Sequence, residues 1–197
     1  MTAHAVLLAI PCDPAAPPPQ RVQVQRAHAR RALRRCAELC AAPLDGWRQD
    51  ERGAPLAQEG FFWSISHKRR MAAAVIAREP VGIDVELIAP RRDDLFDAVA
   101  TEAEWSLFPD RSWLSFFRVF TAKEATLKAN GLGIGYLAAC KVVEAGEARM
   151  ILELEQRRFS ACHAKHDDHL ASVSSPDPHN VVWRLVTNED VVFHQTL

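Results

Sequence analysis

The sequence predicts an α+β protein. Two long stretches, residues 22–42 and 112–127, carry apolar side chains at helical spacing. Residues 81–86 form a short β-branched apolar run. The stretches 141–143, 150–154 and 159–163 alternate apolar and polar residues, as antiparallel strands do. A chain of 197 residues makes one domain or two small, closely packed halves, and it is long enough to bury a core. It is 48% hydrophobic and 25% charged, ordinary values for a soluble globule. A net charge of −1 argues against a general nucleic-acid binder. The longest apolar runs, such as residues 5–10, are too short to span a membrane, and the N-terminus lacks the basic flank and length of a signal peptide. Five cysteines without paired spacing point to reduced thiols and a cytoplasmic protein.

Residues 5–10 are the first expected strand. Residues 11–19 hold five prolines and form a rigid, extended loop. A basic helix follows over residues 22–42. Ala29, Leu33, Cys36 and Cys40 are its apolar face, with the two cysteines as small core residues. Six arginines lie between Arg21 and Arg35 with no acid among them. Arg26, Arg30 and Arg34 form one stripe, with Arg31 and Arg35 beside it. This is either a solvated helix face or a cradle for a polyanion. Residues 43–59 are loop-like. Residues 61–67 read as a strand on which Trp63 and Ile65 face one way and Ser64 and Ser66 the other. Ser66 and His67 then sit at its end, where a hydroxyl and an imidazole can donate to a phosphate. Residues 71–77 are the strand returning beside it.

Within residues 81–86, Asp84 and Glu86 project from the same side, roughly 7 Å apart. Ile83, Val85 and Leu87 point the other way, into a core. Two like charges on a half-buried strand repel each other and lose hydration, so a positive group belongs between them. Their oxygens suit a hard cation; the plain alternative is two solvated acids on an exposed face. Residues 93–100 and 101–105 are short helices, the second opened by a Thr101–Glu104 capping box. In residues 112–127, Trp113, Phe116, Phe117 and Phe120 make an aromatic band, read as core. Its C-terminal part is strongly helix-forming, with Thr121 placed as a cap and Asn130-Gly131 as its end. Glu124 and Lys128 share a face there, with Lys123 next to it. Gly131, Gly133 and Gly135 follow a helix instead of opening one, so they are not a nucleotide fingerprint. His163, His166 and His169 are spaced at threes, but in strand and turn territory, and read as structural. Residues 171–173 and 181–186 are further strands, broken by Pro176-Asp177-Pro178. The last ten residues carry no signal.

Three of these stretches together carry a resemblance. The Gly82-Ile83-Asp84-Val85-Glu86 strand stands about forty residues before Lys123-Glu124-Ala125-Thr126-Leu127-Lys128-Ala129-Asn130-Gly131, with Ser64-Ile65-Ser66-His67 upstream. This order and spacing resembles the signature of the 4′-phosphopantetheinyl transferases. The chain length is similar to that of the family's longer, monomeric, Sfp-like group. The resemblance implies two pseudo-symmetric α/β halves, each a small, mostly antiparallel sheet packed on helices. Their expected bounds are residues 1–79 for coenzyme A phosphate contacts and 80–197 for the metal and catalytic motifs.

The implied reaction moves the 4′-phosphopantetheine arm of coenzyme A to a serine of an apo acyl or peptidyl carrier protein, releasing 3′,5′-ADP. Asp84, Glu86 and Glu124 would hold Mg²⁺, which oxygen ligands alone do not distinguish from Mn²⁺. Glu124 would act as base for the carrier serine, directly or through a metal-bound water, and Lys128 would neutralise or protonate the leaving phosphate. His67, Ser66, Lys123 and Lys128 would contact coenzyme phosphates. In the basic helix, Arg31 is the best positional match for a phosphate-binding arginine, with Arg30 a close rival. Glu104 is a secondary candidate for assisting the metal. Ala54 stands where relatives often carry a phosphate-binding lysine. That departure is the support for the other reading, a non-catalytic module that binds coenzyme A or a carrier protein.

Overall fold

The computed structural model describes residues 2–11, 15, 17–176, 180–186 and 193–195. Most of the proline-rich loop's first half and part of the 176–178 break lie outside these residues. Strand β1 (Thr2–Ala9) leads to helix α1 (Pro18–Cys40). Pro18 and Pro19 occupy its first turn, where a missing N–H leaves no bond unmade. Ala41 ends it in the left-handed conformation. The antiparallel pair β2 (Phe62–Lys68) and β3 (Met71–Ala77) follows, then β4 (Gly82–Leu87). Helices α2 (Leu95–Val99) and α3 (Glu102–Trp105) precede α4 (Trp113–Ala129). Strands β5 (Lys141–Ala145), β6 (Arg149–Leu154), β7 (Arg157–His166) and β8 (His169–Ser175) form a meander. The last described strands are β9 (Asn180–Val186) and β10 (Phe193–Gln195).

Two five-stranded sheets result, with strand orders β10-β9-β1-β3-β2 and β4-β8-β7-β6-β5. Among the described residues every strand pairing is antiparallel except β1 with β9. Alternation along the strands sorts the side chains into layers. Val6, Leu8, Ala74 and Ile76 pack against Ala29, Leu33 and Cys36 of α1. Leu7, Ala73 and Val75 meet Ile83, Val85, Ala171 and Val173 between the sheets. Phe116, Phe117 and Leu127 of α4 pack on Met150, Leu152 and Phe159 of the second sheet. The order is therefore α1, first sheet, second sheet, α4, an α+β arrangement with one long helix outside each sheet. Strand β3 has all seven residues buried because it is covered on both faces.

Strands β4 to β8 make up the second sheet. Beyond that the chain crosses back: Thr2–Leu8 pairs with Asn180–Val186, so the last described residues complete the first sheet. The expected aromatic band is core, with Phe116 packed edge-on against Phe96 at 5.2 Å. Thr121 does not start a helix. Ser112 caps one continuous α4, its hydroxyl accepting from the Ser115 amide at 3.2 Å. Thr121 is buried in mid-helix and donates to the Phe117 carbonyl at 2.7 Å. The four described cysteines are all free thiols, and the Cys36 thiol donates to the Ala74 carbonyl.

Helix α4 sits directly on β4 and β8. A Cβ at Gly82 would lie 1.9 Å from the Ala125 carbonyl oxygen and 2.7 Å from the Ala129 nitrogen, both backbone atoms. Beside this contact, Thr121 and Ser172 hydroxyls lie 2.6 Å apart and Thr126 and Ser174 hydroxyls 2.7 Å apart. Ser172 and Ser174 are the register partners of Asp84 and Gly82. Because Thr121 gives its proton to Phe117, Ser172 donates to Thr121 and accepts from Nδ1–H of His163 at 2.9 Å. Burial first, and the charge of Arg118 second, push His163 from 6.5 down to about 3. It is a structural histidine, as its surroundings in the sequence imply.

Two outcomes follow. Gly82→Ala should destabilise the protein by more than about 3 kcal/mol, since backbone must move to admit the methyl; urea denaturation measures this, and an unchanged midpoint would contradict it. His163 binds its proton in the unfolded chain below pH 6.5 but in the folded one only near pH 3. Its contribution is therefore complete above pH 6.5 and lost on acidification through that window, with a slope approaching about 1.4 kcal/mol per pH unit. His163→Asn should flatten that dependence in urea titrations taken at successive pH values.

Candidate active site

Strands β2 and β4 are each the last strand of their own sheet, and they lie side by side. No ladder joins them; side chains do. The Ser66 hydroxyl donates to Asp84 Oδ1 at 2.8 Å and accepts from the Val85 amide at 3.3 Å. Two residues on, the Lys68 ammonium lies 2.7 Å from the Glu86 carboxylate. From the other side, Lys128 of α4 donates to Asp84 Oδ1 at 2.7 Å and to the Ile83 carbonyl at 3.1 Å. Asp84 is buried, and these partners offset the hydration its carboxylate loses.

Glu124 lies one turn before Lys128 on α4. Burial raises its carboxyl above the usual range; the negative charges of Asp84 and Glu86 add to this, and Lys128 opposes it. Burial likewise raises Glu86, against the hydrogen bond from Lys68. Among the described residues two buried carboxylate oxygens have no protein partner: Asp84 Oδ2 and Glu124 Oε1. Among the described residues no three His, Cys, Asp or Glu side chains are gathered tightly enough to hold a metal ion. Lysines engage Asp84 and Glu86 instead. The two orphaned oxygens nevertheless fit a hard cation, which prefers anionic oxygen and completes its shell with water or phosphate.

Next to this cluster is a cavity of about 510 Å³, lined by Arg26 and Arg30 of α1, Gln49, Ile65, Ser66, His67 and Lys128. Its charge is positive. His67 is held below its usual range by burial, then by Arg26, Lys128 and Lys68, which favours a neutral imidazole with one N–H to donate. A second cavity of about 420 Å³ lies across Arg30, lined by Arg31, Arg34, Leu44 and Trp47 among others.

The structure brings together Asp84, Glu86, Glu124, Lys128, Ser66 and His67. Arg31 is not with them; it faces the second cavity, while Arg30 reaches both. Lys123 is also elsewhere. It is fully buried, and its ammonium lies 2.7 Å from Glu104 Oε1 and donates to the Val99 carbonyl at 2.8 Å. Glu104 is saturated as well: it closes the capping box with Thr101 and accepts from the Val142 amide at 2.9 Å. Burial raises Glu104, but the Lys123 hydrogen bond and those from Thr101 and Val142 win and leave it below the usual range. Residue 123 is about 100° around the helix from residue 124, so it faces inward where Glu124 faces β4. Arg26 was visible in the sequence only as part of the arginine stripe. Its i,i+4 spacing to Arg30 is the signal that both reach one cavity. Ala54 offers no charge; its amide donates to Asp50 at 2.8 Å.

Removing one partner of the Lys123–Glu104 pair strands a buried charge. Lys123→Met should cost about 3–5 kcal/mol in urea denaturation, whereas an exposed pair would change stability by less than about 1 kcal/mol.

A family model described as the 4′-phosphopantetheinyl transferase superfamily matches residues 80–178. Enterobactin synthase component D of Escherichia coli O157:H7 is 29% identical over 136 residues, 66% of this chain and 63% of that protein. The 4′-phosphopantetheinyl transferase HetI of Nostoc sp. is 33% identical over 105 residues, 47% and 44% of the two chains. The 4′-phosphopantetheinyl transferase Npt of Nocardia iowensis is 34% identical over 112 residues, 49% and 48%. The matches span less than two thirds of the length of these curated relatives.

Proposed function

The chain belongs to the 4′-phosphopantetheinyl transferase superfamily, and on that footing we propose that it moves the 4′-phosphopantetheine arm of coenzyme A to a serine of an apo acyl or peptidyl carrier protein. The observation that supports this most is the joining of a carboxylate cluster to a basic cavity through Lys128, which is a partner of Asp84 and a wall of the cavity. An anionic cofactor with a diphosphate needs both: cations for its phosphates and carboxylates beside the reacting phosphorus.

In this reading Arg26, Arg30 and His67 bind the coenzyme's phosphates. Arg26 and Arg30 supply the charge that the loop lacks at Ala54. Lys128 faces the diphosphate, where it offsets charge on the leaving oxygen. Ser66 orients Asp84, because its one hydroxyl proton already goes to that carboxylate. Asp84 Oδ2 and Glu124 Oε1 would hold Mg²⁺, with Glu86 beside them. When bound, that ion supplies charge neutralisation at the diphosphate. Glu124 accepts the proton of the carrier serine. The serine oxygen bonds to the phosphorus bearing the pantetheine arm, the bond from that phosphorus to the bridging oxygen breaks, and 3′,5′-ADP leaves. Lys123 takes no part, since its ammonium is committed to Glu104. We further propose a monomer acting in the cytoplasm. Among the described residues no helix is long and apolar enough to cross a membrane.

Intact-mass spectrometry of apo-carriers incubated with the protein, coenzyme A and Mg²⁺ tests the reading. The expected gain is one phosphopantetheine arm, lost with EDTA. Asp84→Asn and Glu124→Gln should each slow the gain by at least about hundredfold with unchanged circular dichroism. Coenzyme A binding with no mass gain on any carrier would instead favour a non-catalytic binding module.

A further inference from the structure

Within the proposed cation site, on which the inference about Lys68 rests, the three carboxylates are not equivalent. Asp84, Glu86 and Glu124 differ in what they have left to offer. Asp84 Oδ1 is taken by Ser66 and Lys128, while its Oδ2 has no partner. Glu124 Oε1 has no partner. Glu86, by contrast, is engaged by Lys68, whose ammonium is 2.7 Å from the carboxylate. The Glu86 side chain is only 13% exposed, so little water is available to replace that ammonium.

Lys68 is also held in place by the fold. It is the last residue of β2, with Met71 as its register partner on β3, and it follows His67 of the basic cavity. The link from Lys68 to Glu86 runs parallel to the link from Ser66 to Asp84, two residues away on each strand. Both tie the edge of one sheet to the edge of the other. A divalent cation seeking Glu86 as a third ligand must displace the ammonium and break one of these ties.

We propose that Lys68 reserves Glu86 as a strut between the sheets, leaving the divalent cation to Asp84 and Glu124 alone. The site is then a two-carboxylate site with open positions, and Lys68 lowers its affinity for the free cation. The open positions are left for substrate phosphate and water, as a hard cation with few protein ligands requires.

Direct titration with Mn²⁺, followed by the electron paramagnetic resonance signal of the free ion, tests this without any turnover. Lys68→Met removes a positive charge and frees a carboxylate, and should tighten Mn²⁺ binding by about tenfold, because affinity follows ligand charge count. Glu86→Gln should change the dissociation constant by less than about threefold, while Asp84→Asn weakens it by more than about thirtyfold. Lys68 is 38% exposed at its side chain, so its replacement leaves the core intact and the measurement readable. Unchanged or weaker binding by Lys68→Met, or a loss in Glu86→Gln as large as in Asp84→Asn, overturns the role of Lys68 while leaving the cation site standing. Absence of Mn²⁺ binding by the unsubstituted protein overturns the cation site itself, and the role of Lys68 with it.

Discussion

Helix α4 can rest on the backbone of β4 because residue 82 has no side chain. The Ala125 carbonyl occupies the space a Cβ would fill. The neighbouring positions are small for the same reason: Thr121, Ala122, Ala125 and Thr126 on the helix, Ser172 and Ser174 on β8. Small side chains let the layers approach, and hydroxyl pairs satisfy the polar atoms thereby buried. That approach brings Lys128 within 2.7 Å of Asp84. A larger residue at 82 would lift the helix and separate the charges that neutralise each other.

The second constraint is electrostatic. Asp84 lies on a buried strand face, where a carboxylate requires cations and donors around it. Lys128 comes from α4 and Ser66 from β2, so the charge on one strand draws on the other sheet and on a helix far along the chain. The seam between the sheets is thus held by the groups that form the candidate site. The buried Lys123–Glu104 pair performs a parallel task behind α4, fixing the helix against the α3 capping box and β5. Stability and site geometry are coupled: the helix rotation that aims Glu124 and Lys128 at β4 also points Lys123 at Glu104.

Much of this was legible in the sequence. Asp84 and Glu86 share a strand face by simple alternation. Glu124 and Lys128 share a helix face by the i,i+4 rule, and the structure puts the two faces together. The limits are equally physical. Lys123 is adjacent to Glu124 in sequence, but a step of about 100° sends it to a different neighbour. The identity of that neighbour, Glu104, depends on how α3 packs. Thr121 looks like a cap from its local sequence; only Ser172 shows why a hydroxyl is wanted in mid-helix. The parallel pairing of β9 with β1 joins the two ends of the chain, and no local pattern announces a contact so distant. Choosing Arg30 over Arg31 needed the position of the cavity as well as the spacing of the arginines.

The most direct measurement is a crystal structure of the protein soaked with Mn²⁺ and coenzyme A, with an anomalous difference map at a wavelength where manganese scatters. The expected result is one strong peak between Asp84 Oδ2 and Glu124 Oε1, with the coenzyme's phosphates reaching from that ion into the cavity lined by Arg26, Arg30 and His67. A manganese peak on other residues, or coenzyme A bound away from the seam between β2 and β4, would contradict the assignment of this seam as the place where the chemistry occurs.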